Sequence, residues 1–143
     1  MTLALQAAER GAAAGEVPVG AVIVDARGDV LAIAHNRVET DRDPTAHAEM
    51  LVIRQASRRR GSPRLPDCDL YVTLEPCPMC AQALALARIR RLYYAAEDQK
   101  GGGVEHGARV FAAASCHHRP EVYGGIQETA AADLLRTFFK ERR

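Results

Sequence analysis

The stretch D-L-Y-V-T-L-E-P-C-P-M-C-A-Q-A-L-A-L-A-R-I-R-R-L-Y-Y-A-A, Asp69 to Ala96, reads as strand, helix, strand. Asp69–Leu74 and Arg91–Ala96 are short runs rich in β-branched and aromatic residues. Between them, Met79–Ala87 is rich in alanine and leucine, which favour helix. Pro78 is suited to the first helical position, where a backbone N–H has no partner to lose. Two strands joined through a helix point to a sheet with a parallel portion and helices packed on its faces.

Upstream, Leu3–Ala14 has helical composition and ends at Gly15, a natural C-cap. Val17–Val24 and Val30–Ala34 are apolar runs on either side of the turn residues D-A-R-G-D, Asp25–Asp29, and together predict a β-hairpin. A polar loop, Asn36–Asp43, leads to a predicted helix over Thr45–Arg60, which Gly61, Ser62, Pro63 and Pro66 break. Downstream, Gly101–Gly103 must be a loop and Val104–Tyr123 shows no clear period. Gln127–Glu141 predicts a terminal helix, with Ala130, Leu134, Leu135, Phe138 and Phe139 near helical spacing.

A chain of 143 residues has the length of one domain, 1–143, with one core. Its 48% hydrophobic and 26% charged residues place it among globular proteins rather than disordered ones. No apolar run approaches the ~18 residues of a membrane span, and M-T-L-A-L-Q-A-A-E-R does not read as a secretory leader. The expected location is cytoplasmic. Four cysteines in a reducing compartment point to metal or redox chemistry rather than a disulfide framework. A net charge of +1 neither demands nor excludes nucleic acid, so any basic footprint must be local.

Cys77 and Cys80 lie three apart at a helix start, so they share a face. The positive end of the helix dipole favours the thiolate that binds metal. P-C-x-x-C alone fits a redox pair or half of a structural zinc site. About thirty residues earlier, P-T-A-H-A-E-M, Pro44–Met50, offers an imidazole, His47, two residues from a carboxylate, Glu49. Two thiolates and one imidazole are three zinc ligands, which leave the fourth position open as in catalytic sites. Two helices that start at the same edge of a sheet can aim both N-termini at one point. Zn2+ would sit there, one ion per subunit, with Glu49 beside the activated water to move protons.

These motifs resemble the zinc-dependent cytidine/deoxycytidylate deaminase superfamily, whose signature is H-x-E…P-C-x-x-C. Within it the chain is similar to the bacterial tRNA-specific adenosine deaminases. The similarity runs through Glu16–Val24, His35–Arg37, Asp43–Met50, Leu70–Cys80, Glu97–Gly102 and Leu134–Arg143. It implies a cytidine-deaminase-like three-layer α/β/α fold, with a five-stranded mixed sheet flanked by helices. It also implies a homodimer acting on a tRNA anticodon stem-loop. Adenosine would become inosine at the first anticodon base, in an arginine tRNA with anticodon ACG. Carried over residue by residue, His47, Cys77 and Cys80 would ligate zinc and Glu49 would shuttle protons. Asn36 would hydrogen-bond the purine, and Asp98, Lys100, Phe138 and Phe139 would meet the substrate. Two features depart from the branch: Pro78 is more typical of guanine deaminases, and the N-terminal helix is short.

Two rival functions share these motifs. A deaminase of free guanine, cytosine or cytidine would differ mainly in substrate access. A silent zinc-folded RNA-binding or dimerisation subunit would have no use for Glu49. Arg58, Arg59, Arg60 and Arg64, or else Arg136, Lys140, Arg142 and Arg143, are the candidate phosphate partners. Cys68 reads as a small buried hydrophobe, and Cys116-His117-His118 reads as loop and packing residues rather than a second metal site.

Overall fold

A computed structural model describes residues 1–143. In chain order the elements are α1 (Thr2–Ala13), β1 (Gly20–Val24), β2 (Val30–His35), α2 (Val38–Asp41), α3 (Ala48–Arg60), β3 (Asp69–Leu74), α4 (Pro78–Leu86), β4 (Arg91–Ala96), a 3-10 turn (Val110–Ala112), β5 (Glu121–Tyr123) and α5 (Glu128–Glu141). The strand–helix–strand reading of Asp69–Ala96 holds, with both strands at the expected bounds. β3 and β4 pair in parallel, Leu70 opposite Leu92. The five strands run in the order β2-β1-β3-β4-β5, antiparallel at β2/β1/β3 and parallel at β3/β4/β5.

Strand alternation divides the sheet into two faces. Ala21, Ile23, Leu70, Val72, Leu92 and Tyr94 join Val52 and Ala56 of α3 and Ala81 and Leu84 of α4 in the main core. On the other face Ala95 and Ala131 pack together, and α1 lies against β1 and β2. The result is three layers, α3/α4, sheet, α1/α5. Small residues let α1 approach closely: Ala4, Ala7 and Ala8 are fully buried. A Cβ on Gly20 would lie 2.0 Å from the Ala4 carbonyl oxygen, so only glycine fits there. α1 closes with a Schellman arrangement, in which Gly15 (φ +83°) donates to Ala12 O and Glu16 N donates to Gly11 O.

Three local expectations differ from the structure. α3 starts at Ala48, not Thr45, because Asp43 folds the preceding residues into a tight turn. Its Oδ1 accepts from Thr45 N (2.8 Å) and Thr45 Oγ1 (2.7 Å), and its carbonyl accepts from Ala46 N. The loop after β2 contains the short helix α2. On α5 it is Ala131 rather than Ala130 that is buried, with Phe138. The segment Val104–Tyr123 supplies the fifth strand, three residues long. Its Tyr123 continues a stack of rings, Tyr71 to Tyr93 at 4.5 Å and Tyr93 to Tyr123 at 5.1 Å. No helix is long and apolar enough to cross a membrane.

Candidate active site

β2 and β3 are both antiparallel to β1, so their C-terminal ends lie at one edge of the sheet. Asn36 and the lead into α3 leave one end, and Glu75-Pro76-Cys77 leaves the other. His47 is the N-cap residue of α3, in extended backbone, and Cys77 is the N-cap residue of α4. Neither caps its helix with its side chain, so both are free to face a ligand. Cys80 sits one turn into α4 and is fully buried.

Here the three candidate ligands meet. Nδ1 of His47 lies 3.6 Å from the sulfur of Cys77 and 3.6 Å from that of Cys80. All three donor atoms fall within 4.8 Å of one another. A tetrahedral zinc ion with Zn–N of about 2.0–2.1 Å and Zn–S of about 2.3 Å sets each N···S separation at roughly 3.5–3.6 Å. The side chains therefore already hold the spacing the ion needs. Hydrogen bonds from Cys80 and His47 hold the Cys77 thiol far below its ordinary range, at about 4. Its interaction with Cys77 pushes Cys80 the opposite way. The pair shares one proton, which a bound cation would displace.

Glu49, in the first turn of α3, is 3% exposed. Burial raises its pKa to about 7, where a carboxyl can both take and give protons at neutral pH. It lines a cavity of about 550 Å³ together with His47, Cys77, Asn36, Asp98 and Phe138.

The cavity has two walls, each tied to a buried carboxylate. Glu16 accepts from Glu39 N (2.7 Å) and Thr40 N (3.4 Å), capping α2 from outside the helix. Glu75, whose side chain is fully buried, accepts from Asp98, Glu105 and His106. Both glutamates line the cavity, and neither was singled out by its sequence. Glu75 did carry a signal, a charged residue between an apolar strand and Pro76-Cys77.

Asn36 Oδ1 accepts from Ala48 N at 2.8 Å, which caps α3 and fixes the amide's orientation. One lone pair of the amide oxygen is thus already used, and both NH2 donors remain. Phe138 is buried beneath Arg142, whose guanidinium carbon lies 3.6 Å from the ring centroid, and both line the cavity. Phe139 is 46% exposed and, like Lys100, does not line it. Both basic clusters are partly occupied, the second by an Arg136–Asp133 ion pair and an Arg142 bond to the Phe138 carbonyl. In the first, Arg59 donates to the Val30 and Leu31 carbonyls, and Arg60 pairs with Asp67. Cys68 is buried. Cys116 donates to the His118 carbonyl and His118 Nε2 to the Ile89 carbonyl, so these two side chains are spent on backbone bonds, and His117 is exposed.

Residues 1–96 match the profile of the cytidine and deoxycytidylate deaminase zinc-binding region. A tRNA-specific adenosine deaminase of Agrobacterium fabrum is 54% identical over 143 residues, covering 100% of this chain and 93% of the relative. That of Bacillus subtilis is 42% identical over 143 residues, 100% of this chain and 88% of the relative. A solved structure from biochemical and structural studies of A-to-I editing by tRNA:A34 deaminases superposes with a TM-score of 0.92 at 53% identity, covering 94% of this chain and 97% of that one. A guanine deaminase from Nitrosomonas europaea superposes with a TM-score of 0.82 at 25% identity, covering 96% of this chain and 81% of that one.

Proposed function

The chain belongs to the cytidine and deoxycytidylate deaminase zinc-binding family, and from that premise we propose that it converts adenosine 34 of tRNA to inosine. The observation that carries this reading is the 54% identity, over the whole chain, to a tRNA-specific adenosine deaminase. Guanine deaminases on the same fold stand at 25% identity over 96% of this chain or at 46% over only 67% of it, so the free-base reading is the weaker one. Pro78 does not change that order. The finer reading is an arginine tRNA with anticodon ACG as substrate, 1–143 as one cytoplasmic catalytic domain, and a second copy of the chain as partner. Leu86, 64% exposed on α4, is an apolar residue such an interface would cover.

His47, Cys77 and Cys80 would hold the zinc ion. When bound, the ion supplies a Lewis acid that lowers the pKa of a water from about 15.7 to about 7. Glu49 takes one proton from the water as its oxygen adds to C6, and delivers it to the ring nitrogen N1. Glu49 then carries the remaining hydroxyl proton to the exocyclic amine, the C6–N bond breaks, and ammonia leaves with inosine formed. A buried carboxyl near pH 7 suits both transfers. Asn36 offers its NH2 donors to a purine acceptor while its oxygen holds α3. An anticodon loop presents unstacked bases, so seating one in the cavity costs less than extracting it from a duplex. Arg142, stacked on Phe138, and the neighbouring Arg136, Lys140 and Arg143 face the phosphates. Asp98 lies against the substrate in this reading, with Lys100 and Phe139 outside the cavity where flanking nucleotides pass.

The test is a transcript of the arginine tRNA incubated with zinc-loaded protein, with inosine read as guanosine after reverse transcription. Conversion confined to position 34, with every other adenosine of the transcript unchanged, is the expected result. Intact adenosine 34 beside rapid release of ammonia from free guanine or cytidine would overturn the reading.

A further inference from the structure

Glu75 is a carboxylate with no exposed side-chain surface, two residues before a metal ligand, and the chemistry above does not use it. Each oxygen is doubly satisfied. Oε1 accepts from Glu105 N (2.7 Å) and His106 N (3.0 Å). Oε2 accepts from Asp98 N (3.0 Å) and His106 Nδ1 (2.8 Å). Four donors fill the four lone pairs of an ionised carboxylate. All four come from Asp98–His106, the segment that puts Asp98 on the cavity wall. The same segment touches the metal-ligating turn. Gly103 N donates to Pro76 O at 2.8 Å, and a Cβ on Gly103 would lie 2.5 Å from Pro78 N. Gly102 is as close to the carboxylate, since its Cβ would lie 2.6 Å from Oε2.

Within the function proposed above, we propose that Glu75 is the positioning residue of the substrate wall. Its buried carboxylate gathers the amides of Asp98, Glu105 and His106 and so locks the Asp98–His106 segment against the turn that carries Cys77. The wall is irregular backbone with no ladder of its own, and its amides would otherwise need water. Its position relative to the metal ligands is thereby set by this side chain together with the bond from Gly103 N to Pro76 O. A displaced wall weakens the hold on substrate in ground state and transition state alike, which raises KM and leaves kcat near its value. Glu75 touches neither metal nor reacting atoms in this account. Its loss is felt as poorer seating of the RNA.

Glu75→Gln keeps the shape but turns one oxygen into a donor facing two N–H groups. Gly102→Ala keeps the carboxylate but crowds both it and the Asp98 carbonyl, where the Cβ would lie 2.6 and 2.3 Å away, a second lesion should the first fold poorly. Both are made in the full chain, loaded with zinc and assayed on an anticodon stem-loop bearing A-C-G. The expected result is a KM raised at least about tenfold, kcat within about threefold, and unchanged zinc stoichiometry. Hydrogen exchange is expected to quicken in peptides covering 98–106 and nowhere else. Loss confined to kcat, loss in proportion to unfolded protein, or protected exchange at 98–106 in both variants would overturn the proposal. Exchange needs no substrate. If wild-type protein leaves the stem-loop unchanged, the proposed activity fails, while the exchange data still decide whether Glu75 holds the wall.

Discussion

At one end of the cavity, His47, Glu49, Cys77 and Cys80 stand on the first residues of α3 and α4, helices whose inner faces are packed into the main core. Elsewhere in the lining, Asn36, Asp98 and Phe138 stand on a strand end, an irregular segment and a terminal helix, with Asn36 bonded to Ala48 N beside His47 and Glu49. The first group is positioned by helix starts and hydrophobic burial. In the second, Asn36 and Asp98 are positioned by individual polar bonds, with Ala48 N and with Glu75, and Phe138 by its burial on α5. The difference separates two tasks. In the proposed function, metal binding and proton transfer need a fixed geometry common to many substrates, whereas the wall would decide which substrate reaches it.

That separation can be broken by experiment. The largest effect is expected from Cys77→Ala, or from stripping the ion with a chelator: zinc content falls to zero and deamination is abolished. Restoring zinc is expected to recover activity in the stripped wild type only. Residual turnover in metal-free protein would remove the metal end from the account. Next comes Glu49→Gln, expected to cost about 10²–10⁴ in kcat with zinc still bound by atomic absorption. Full turnover in that variant would refute the proton-shuttle role. Asn36→Ala is smaller, about 1 kcal/mol of stability from the lost cap on α3, together with a raised KM. An unchanged melting temperature would show that Ala48 N–H finds another partner. Phe138 and Phe139 sharpen the contrast most finely. Phe138→Ala removes a buried ring and is expected to destabilise by about 3 kcal/mol. Phe139→Ser should stay within about 0.5 kcal/mol and alter only affinity for RNA. Equal melting shifts for the two would contradict the burial seen here.

The two groups were also unequally legible in the sequence. β3, β4 and α4 follow from local pattern, because each is a run of strong formers bounded by turn residues or Pro78. The ligands were legible because metal chemistry fixes residue types and spacing. The start of α3 was misplaced because Asp43 spends its side chain on Thr45, a competition that propensity does not register. β5 offers three residues, two of them exposed, too few for a period. Glu16 and Glu75 went unread because their donors lie 23–31 residues away. A buried carboxylate looks like a surface one until the fold brings its partners.

The most direct measurement is of kcat/KM for zinc-loaded protein on the A-C-G stem-loop beside free adenosine, guanine and cytidine. Inosine at the first anticodon base with the small molecules untouched is the predicted result, and it would assign selection to the walls. Turnover of a free base with the stem-loop unchanged would leave the metal end standing and contradict the substrate.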